Sequence, residues 1–115
     1  MVWDVTTQTA LAALDGLSMR SDVRAHNIAN AEVPGFRAGQ VDFESALADA
    51  LNRGAPGDVR TQVTASPTQV GMDGNSVDLE TELIGEMKDG LQRQAVVQGF
   101  NFKTGQMRVA MGGPR

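Results

Sequence analysis

Small and apolar residues recur along the first third of the chain at steps of three and four: Ala10, Leu14, Leu17, Ser21, Ala25 and Ile28. That spacing lines one face of a helix over about residues 6–30. Ser21 and Ala25 cannot fill a wide core, so the face predicts close approach of a second helix, as in a coiled-coil seam. Asn30 stands where this helix would end. Pro34 and Gly35 then suit the second and third positions of a type II turn, where Pro presets φ and Gly supplies positive φ, within a turn region spanning residues 31–40.

Beyond the turn, Phe43, Leu47 and Leu51 share one side of a short helix over about residues 42–53, with Asp42 as its N-cap. Residues 54–76 change character, scattering Gly54, Pro56, Gly57, Pro67, Gly71 and Gly74 among Thr, Ser, Gln and Asp. Residues 61–64 could pair as a strand, but nothing else supports a sheet, and the segment reads as a flexible connector. Asp78 caps a long C-terminal helix over about residues 79–111. Glu80 and Glu82 lie near its positive end, and Lys103 and Arg108 towards the other.

This last helix carries two apolar stripes. Leu83, Ile84, Met87, Leu91, Ala95, Phe102 and Val109 fall on one side; Val97, Phe100, Thr104, Met107 and Met111 fall on the other. A surface helix of a monomer needs one such face, so a second must be covered, either within this small domain or by a neighbouring subunit. The N-terminal helix is too small to cover both, which favours the neighbour. We therefore expect Leu14, Leu17 and Ile28 to pack inside the chain against Leu83, Met87 and Leu91, and Val97, Phe100, Met107 and Met111 to meet another subunit. Gly85, Gly90, Gly99 and Gly105 each cost about 1 kcal/mol against Ala in a helix. They imply close approach of packed backbones, or a helix that is unstable until packed.

Composition narrows the function. A chain of 115 residues with one Trp, four Phe and no Tyr has few large side chains to anchor a core. Its net charge of −4, with both signs spread along the chain, offers no field for phosphates, so nucleic acid is not an expected partner. Without cysteine there is neither thiolate chemistry nor a disulfide framework. Residues 5–14 lack the basic and apolar regions of a cleaved secretory signal, and no apolar run is long enough to span a membrane. His26, the sole histidine, has no nucleophile to activate and reads as an exposed helix residue. Asp73-Gly74-Asn75 hints at a calcium loop but lacks the alternating ligands and the terminal glutamate, so it reads as a turn. We expect no catalytic residues, cofactor, metal or small-molecule substrate; a site shared between subunits is the one catalytic route left open.

Asn27-Ile28-Ala29-Asn30-Ala31-Glu32-Val33-Pro34-Gly35-Phe36 has two readings. Structurally, the asparagines cap a helix end and tie down a loop. The run also resembles the signature of bacterial flagellar rod, hook and hook-associated axial proteins, with Val33 and Phe36 replacing the usual Thr and Tyr and so removing two hydroxyls. Arg24 stands where that pattern prefers an apolar residue, so its side chain is expected to forfeit the apolar packing or to turn to solvent. Val41-Asp42-Phe43-Glu44 with Leu47, the segment Asp73-Gly74-Asn75-Ser76-Val77-Asp78-Leu79-Glu80, and Gln94-Ala95 with Asn101 are similar to the proximal rod family, FlgB.

The resemblance implies a mainly α, single-domain subunit over residues 1–115, whose two long helices form an antiparallel coiled-coil-like pair. It implies self-association in a helical assembly and contact with other rod subunits and the basal-body ring junction. It also implies passage through the flagellar type III export apparatus to a periplasmic rod. The competing reading is a small helical regulator or adaptor, whose second stripe receives one soluble partner.

Overall fold

The computed structural model describes residues 4–112. Three helices carry the fold: α1 (Val5–Ala29), α2 (Phe43–Asn52) and α3 (Leu79–Ala110). Each opens on an aspartate whose carboxylate accepts a backbone N–H of the first turn: Asp4 from Thr7, Asp42 from Ser45 and Asp78 from Thr81. These caps satisfy donors that a helix start leaves unpaired, and place negative charge at its positive end. As expected, the long helices at either end pack against each other. Asp4 meets Lys103, Arg20 meets Asp89 and Arg24 meets Glu82, so α1 and α3 run antiparallel.

The small core lies where α2 crosses α1. Phe43 and Leu17 are fully buried there with Ala13 and Val41, and Met19, Val23, Leu47 and Val96 close around them. Gly16 makes this crossing possible. A Cβ built at Gly16 would lie 2.3 Å from the Phe43 ring, a distance no side chain tolerates. The Arg20 guanidinium covers the same ring, 4.6 Å from its centroid.

Four expectations need correction. The first concerns the face of α1. Leu17 is buried, but Leu14 is only half-buried, and Ala25 and Ile28 are exposed. Arg20, Arg24 and Asn27 face α3 instead, reaching Asp89, Glu86 and Glu82. Apolar periodicity could not find this seam, because its upper half is ionic.

The second concerns Arg24, which exchanges the apolar contact for ionic ones and does not turn to water. Its side chain is largely buried, pairing with Asp89 at 2.7 Å, Glu86 at 3.2 Å and Glu82 at 3.6 Å. Gly85 makes room for it, since a Cβ there would lie 2.6 Å from the guanidinium. Gly90, Gly99 and Gly105 have open space instead, so close approach within the chain explains one of the four helix glycines.

The third concerns the stripes of α3. Leu83, Met87 and Leu91 do not pack inside the chain: they are 58%, 72% and 68% exposed. Phe100 and Met107, read as outward residues, are half-buried and line grooves beside Thr6 and Thr7 of α1. Acidic residues occupy the inward positions of the first half of α3, which turns its aliphatic residues to solvent.

The fourth concerns the sheet. Residues 63–65 form β2 (Val63–Ala65), paired antiparallel with β1 (Gly39–Val41), with Gly39 opposite Ala65 and Val41 opposite Val63. Residues 54–76 are thus joined to the turn region by a ladder, extended by the Ser66 N–H donating to the Ala38 carbonyl at 2.9 Å. Pro56 is buried, and the Ala55 N–H returns to the Ala50 carbonyl at the end of α2.

Asp89 is the buried residue of α3, and both arginines converge on it: Arg20 through two hydrogen bonds of 3.0 and 2.7 Å, Arg24 through one of 2.7 Å. Burial alone would raise its carboxyl, but the Arg20 and Arg24 hydrogen bonds outweigh burial and hold it below the ordinary value of 3.8. A carboxylate lowered in the folded state contributes stability that is present above its unfolded value and lost as pH falls through the folded one. The melting temperature should therefore fall below a pH of about 4, and the fall should flatten in Asp89→Asn. Asp89→Ala, which leaves two guanidiniums without their shared partner, should lose about 3–5 kcal/mol in urea unfolding at neutral pH.

Candidate functional site

The motif that closes α1 is held by the segment that opens α3. Across Pro34-Gly35 the Phe36 N–H donates to the Val33 carbonyl at 3.2 Å, and Gly35 has φ +79°, the arrangement of a type II turn. The Asn75 Nδ2 group donates to both the Asn30 carbonyl, at 2.9 Å, and the Val33 carbonyl, at 2.8 Å. Its Oδ1 accepts from the Val77 N–H at 2.7 Å. One buried amide therefore ties the end of α1, the turn and the approach to α3.

Backbone bonds extend the seam on both sides. The Gly35 N–H donates to the Asp73 carbonyl at 2.9 Å, and the Ser76 N–H to the Phe36 carbonyl at 3.0 Å. Gly74, with φ +82°, fits because its missing side chain would sit 3.2 Å from the Gly35 Cα. Ser76 Oγ accepts from the Ala38 N–H at 2.7 Å, and the Thr68 hydroxyl donates to the Ser76 carbonyl.

Asn27 and Asn30 do different jobs. Asn30 is the C-cap of α1, and its side chain donates to the His26 carbonyl at 2.8 Å. Asn27 is buried one turn earlier and holds both backbone groups of Gly39, donating to its carbonyl at 2.8 Å and accepting from its N–H at 3.0 Å. Its amide acts as a neighbouring strand on the free side of β1. Phe36 is half-buried and meets the edge of exposed His26, with ring centroids 5.6 Å apart, while Ile28 and Ala29 remain at the surface.

The remaining candidates lie along α3. Val97 and Met111 are exposed, as are Ile84, Phe102 and Val109 of the outward stripe. Phe100 sits in a groove between the first half of α1 and the second half of α3, floored by Ala10, Ala13, Ala95 and Gly99 and bordered by Lys103. The salt bridge from Lys103 closes this end, and its hydrogen bond holds the Asp4 carboxyl down at about 2. Sequence reading missed Gly16, Arg20, Asp89 and the clamping role of Asn75; only Gly16, a glycine inside a helical pattern, carried a visible signal.

The arrangement ties helices and backbone segments of the chain to one another. Among the described residues no group of three or more His, Cys, Asp or Glu side chains could hold a metal ion, and no helix is long and apolar enough to cross a membrane.

Removing the Asn75 amide should strip two carbonyls of their donor. Asn75→Ala is expected to cost about 2–3 kcal/mol in urea unfolding, since each lost hydrogen bond contributes about 1 kcal/mol and the site is buried. Asn75→Asp should cost more, because it sets a carboxylate oxygen against the Asn30 and Val33 carbonyls. Equal stability of wild type and Asn75→Asp would show that the clamp does not hold the turn.

No protein-family profile matches the chain. Curated relatives do, over nearly its whole length. The chain is 31% identical to the flagellar basal body rod protein FlgB of Escherichia coli strain K12, over 88% of this chain and 89% of that one. It is 32% identical to FlgB of Salmonella typhimurium, over 88% and 89% of the two chains. Against FlgB of Proteus mirabilis strain HI4320 the identity is 28%, over 86% and 88%. Since these matches run through α1, the clamped turn and α3 together, the chain belongs to the flagellar basal body rod protein FlgB family.

Proposed function

We propose that this chain is a structural subunit of the flagellar basal-body rod, assembling by helix packing into the proximal part of the axial drive shaft. The observation that carries the reading is the inverted first half of α3. Its charges point at its own domain, and Leu83, Ile84, Met87 and Leu91 point at solvent. An isolated domain gains nothing from that inversion, whereas a subunit enclosed by neighbours buries the stripe. Val97, Phe100, Met107 and Met111, on the other side of the helix, give its second half a separate contact surface, in which Phe100 and Met107 border the grooves beside α1.

The neighbours in this reading are further copies, other rod subunits and the basal-body ring junction, in a rod that lies in the periplasm after export through the flagellar type III apparatus. A subunit of this kind works by transmitting torque, and needs neither cofactor nor catalytic group. The sparse core suits it: a chain that buries little alone is readily kept unfolded for export and completes its order on assembly.

The test is a Leu83→Glu, Met87→Glu chain expressed in place of the native one. Both side chains are exposed, so the isolated variant should keep its folding free energy within about 0.5 kcal/mol. Basal bodies should nonetheless lack it, and swimming should be lost. Normal incorporation of the double variant, seen by electron microscopy of tagged basal bodies, would sink the proposal.

A further inference from the structure

The outward stripe and the α1–α3 groove differ in shape, charge and position, and each has what the other lacks. Leu83, Met87 and Leu91 recur every fourth residue and form a ridge that no described residue covers. The groove is largely apolar and lined by small residues, with Phe100 on one wall and open space above Gly99. A ridge of large side chains seats in a groove between small ones, which is how helices pack. The charges agree as well. Behind the ridge, four carboxylates (Glu44, Glu82, Glu86 and Asp89) face two guanidiniums (Arg20 and Arg24), and with exposed Lys88 beside Met87 that end keeps a small acidic excess. At the groove end Lys103 and Arg108 stand against Asp4.

We infer that the occupant of the groove is a second copy of this chain, which inserts its Leu83-Met87-Leu91 ridge beside Gly99. This rests on the subunit reading above and names the surfaces through which copies meet. Ridge and groove are separate patches on one molecule, so the contact is heterologous. Each copy seated offers a fresh ridge and a fresh groove, and the series stays open rather than ending at a dimer. It also gives a use to Gly99, which costs the helix stability and whose missing side chain would meet no described residue.

The absence of cysteine makes the contact directly testable. In a chain carrying Met87→Cys and Gly99→Cys, the two positions lie about 18 Å apart along one helix. That is far beyond the roughly 7 Å between Cα atoms that a disulfide can span, so any bond formed joins two copies. Oxidation of basal bodies from cells expressing this variant should give a ladder of dimers and higher multimers, while either single variant stays monomeric. A Gly99→Leu chain, with its groove filled, should unfold no more easily than wild type and yet be lost from basal bodies.

Dimers from Met87→Cys alone would show that the stripe pairs with itself, and would overturn the inference. So would a double-cysteine chain that co-purifies with basal bodies and gives no ladder, or normal assembly of Gly99→Leu; in both cases the rod reading survives. A native chain missing from basal bodies would defeat both.

Discussion

The structure depends on one ionic contact, the convergence of Arg20 and Arg24 on Asp89. Arg20 also holds Glu44, the Val41 carbonyl and the face of Phe43, so one side chain links α1, β1, α2 and α3. An ion pair of this kind adds little net stability over an apolar contact of the same shape, but it is demanding of geometry. Once both guanidiniums must meet one carboxylate, the rotation of α3 about its axis is fixed. The Leu83, Met87 and Leu91 side then has nowhere to turn but outward.

A second constraint sets the angle at which the chain enters α3. Asn75 lies 45 residues from Asn30, whose carbonyl it binds, and 42 from Val33. These bonds close the loop that holds α2 and the sheet, and Asn27 fixes β1 to α1 from the opposite side. The turn motif is thus half of a structure whose other half is the stretch from Asp73 to Ser76. Neither half makes sense alone: Gly35 and Gly74 both take positive φ, and a side chain on Gly74 would press on Gly35.

Much of the fold was legible because local chemistry wrote it. Two aspartate caps, a Pro-Gly turn and long helical spacing depend on neighbours within a few residues, and sequence displays them. The pairing of β1 with β2 was hidden, since strands of three residues carry no periodicity and β1 is held in place by Asn27 and Ser76. The face of α3 was misread for a more general reason. Hydrophobic pattern identifies the buried side of a helix when the partner is apolar, and here the partner surface is a pair of arginines. At the candidate site the motif residues were legible as a turn, but Asn75 was not, because its partners are distant carbonyls with no identity in the sequence.

The poverty of apolar burial in α3 is the feature that ties fold to function. Of its 32 residues, Asp89 is buried, while Leu83, Ile84, Met87, Leu91, Phe102 and Val109 are exposed. Helices draw most of their stability from packing an apolar face, and this one has its largest faces unpacked and four glycines along its length. Its first half is anchored by ions and the clamp; its second half relies on Val96, the groove and the Asp4–Lys103 bridge. In the proposed assembly, contact with other subunits supplies the stability that the single chain lacks. In the rod proposed above that is an advantage: apolar surface left over by one subunit would drive the seating of the next, and the ionic seam would present the same surface each time.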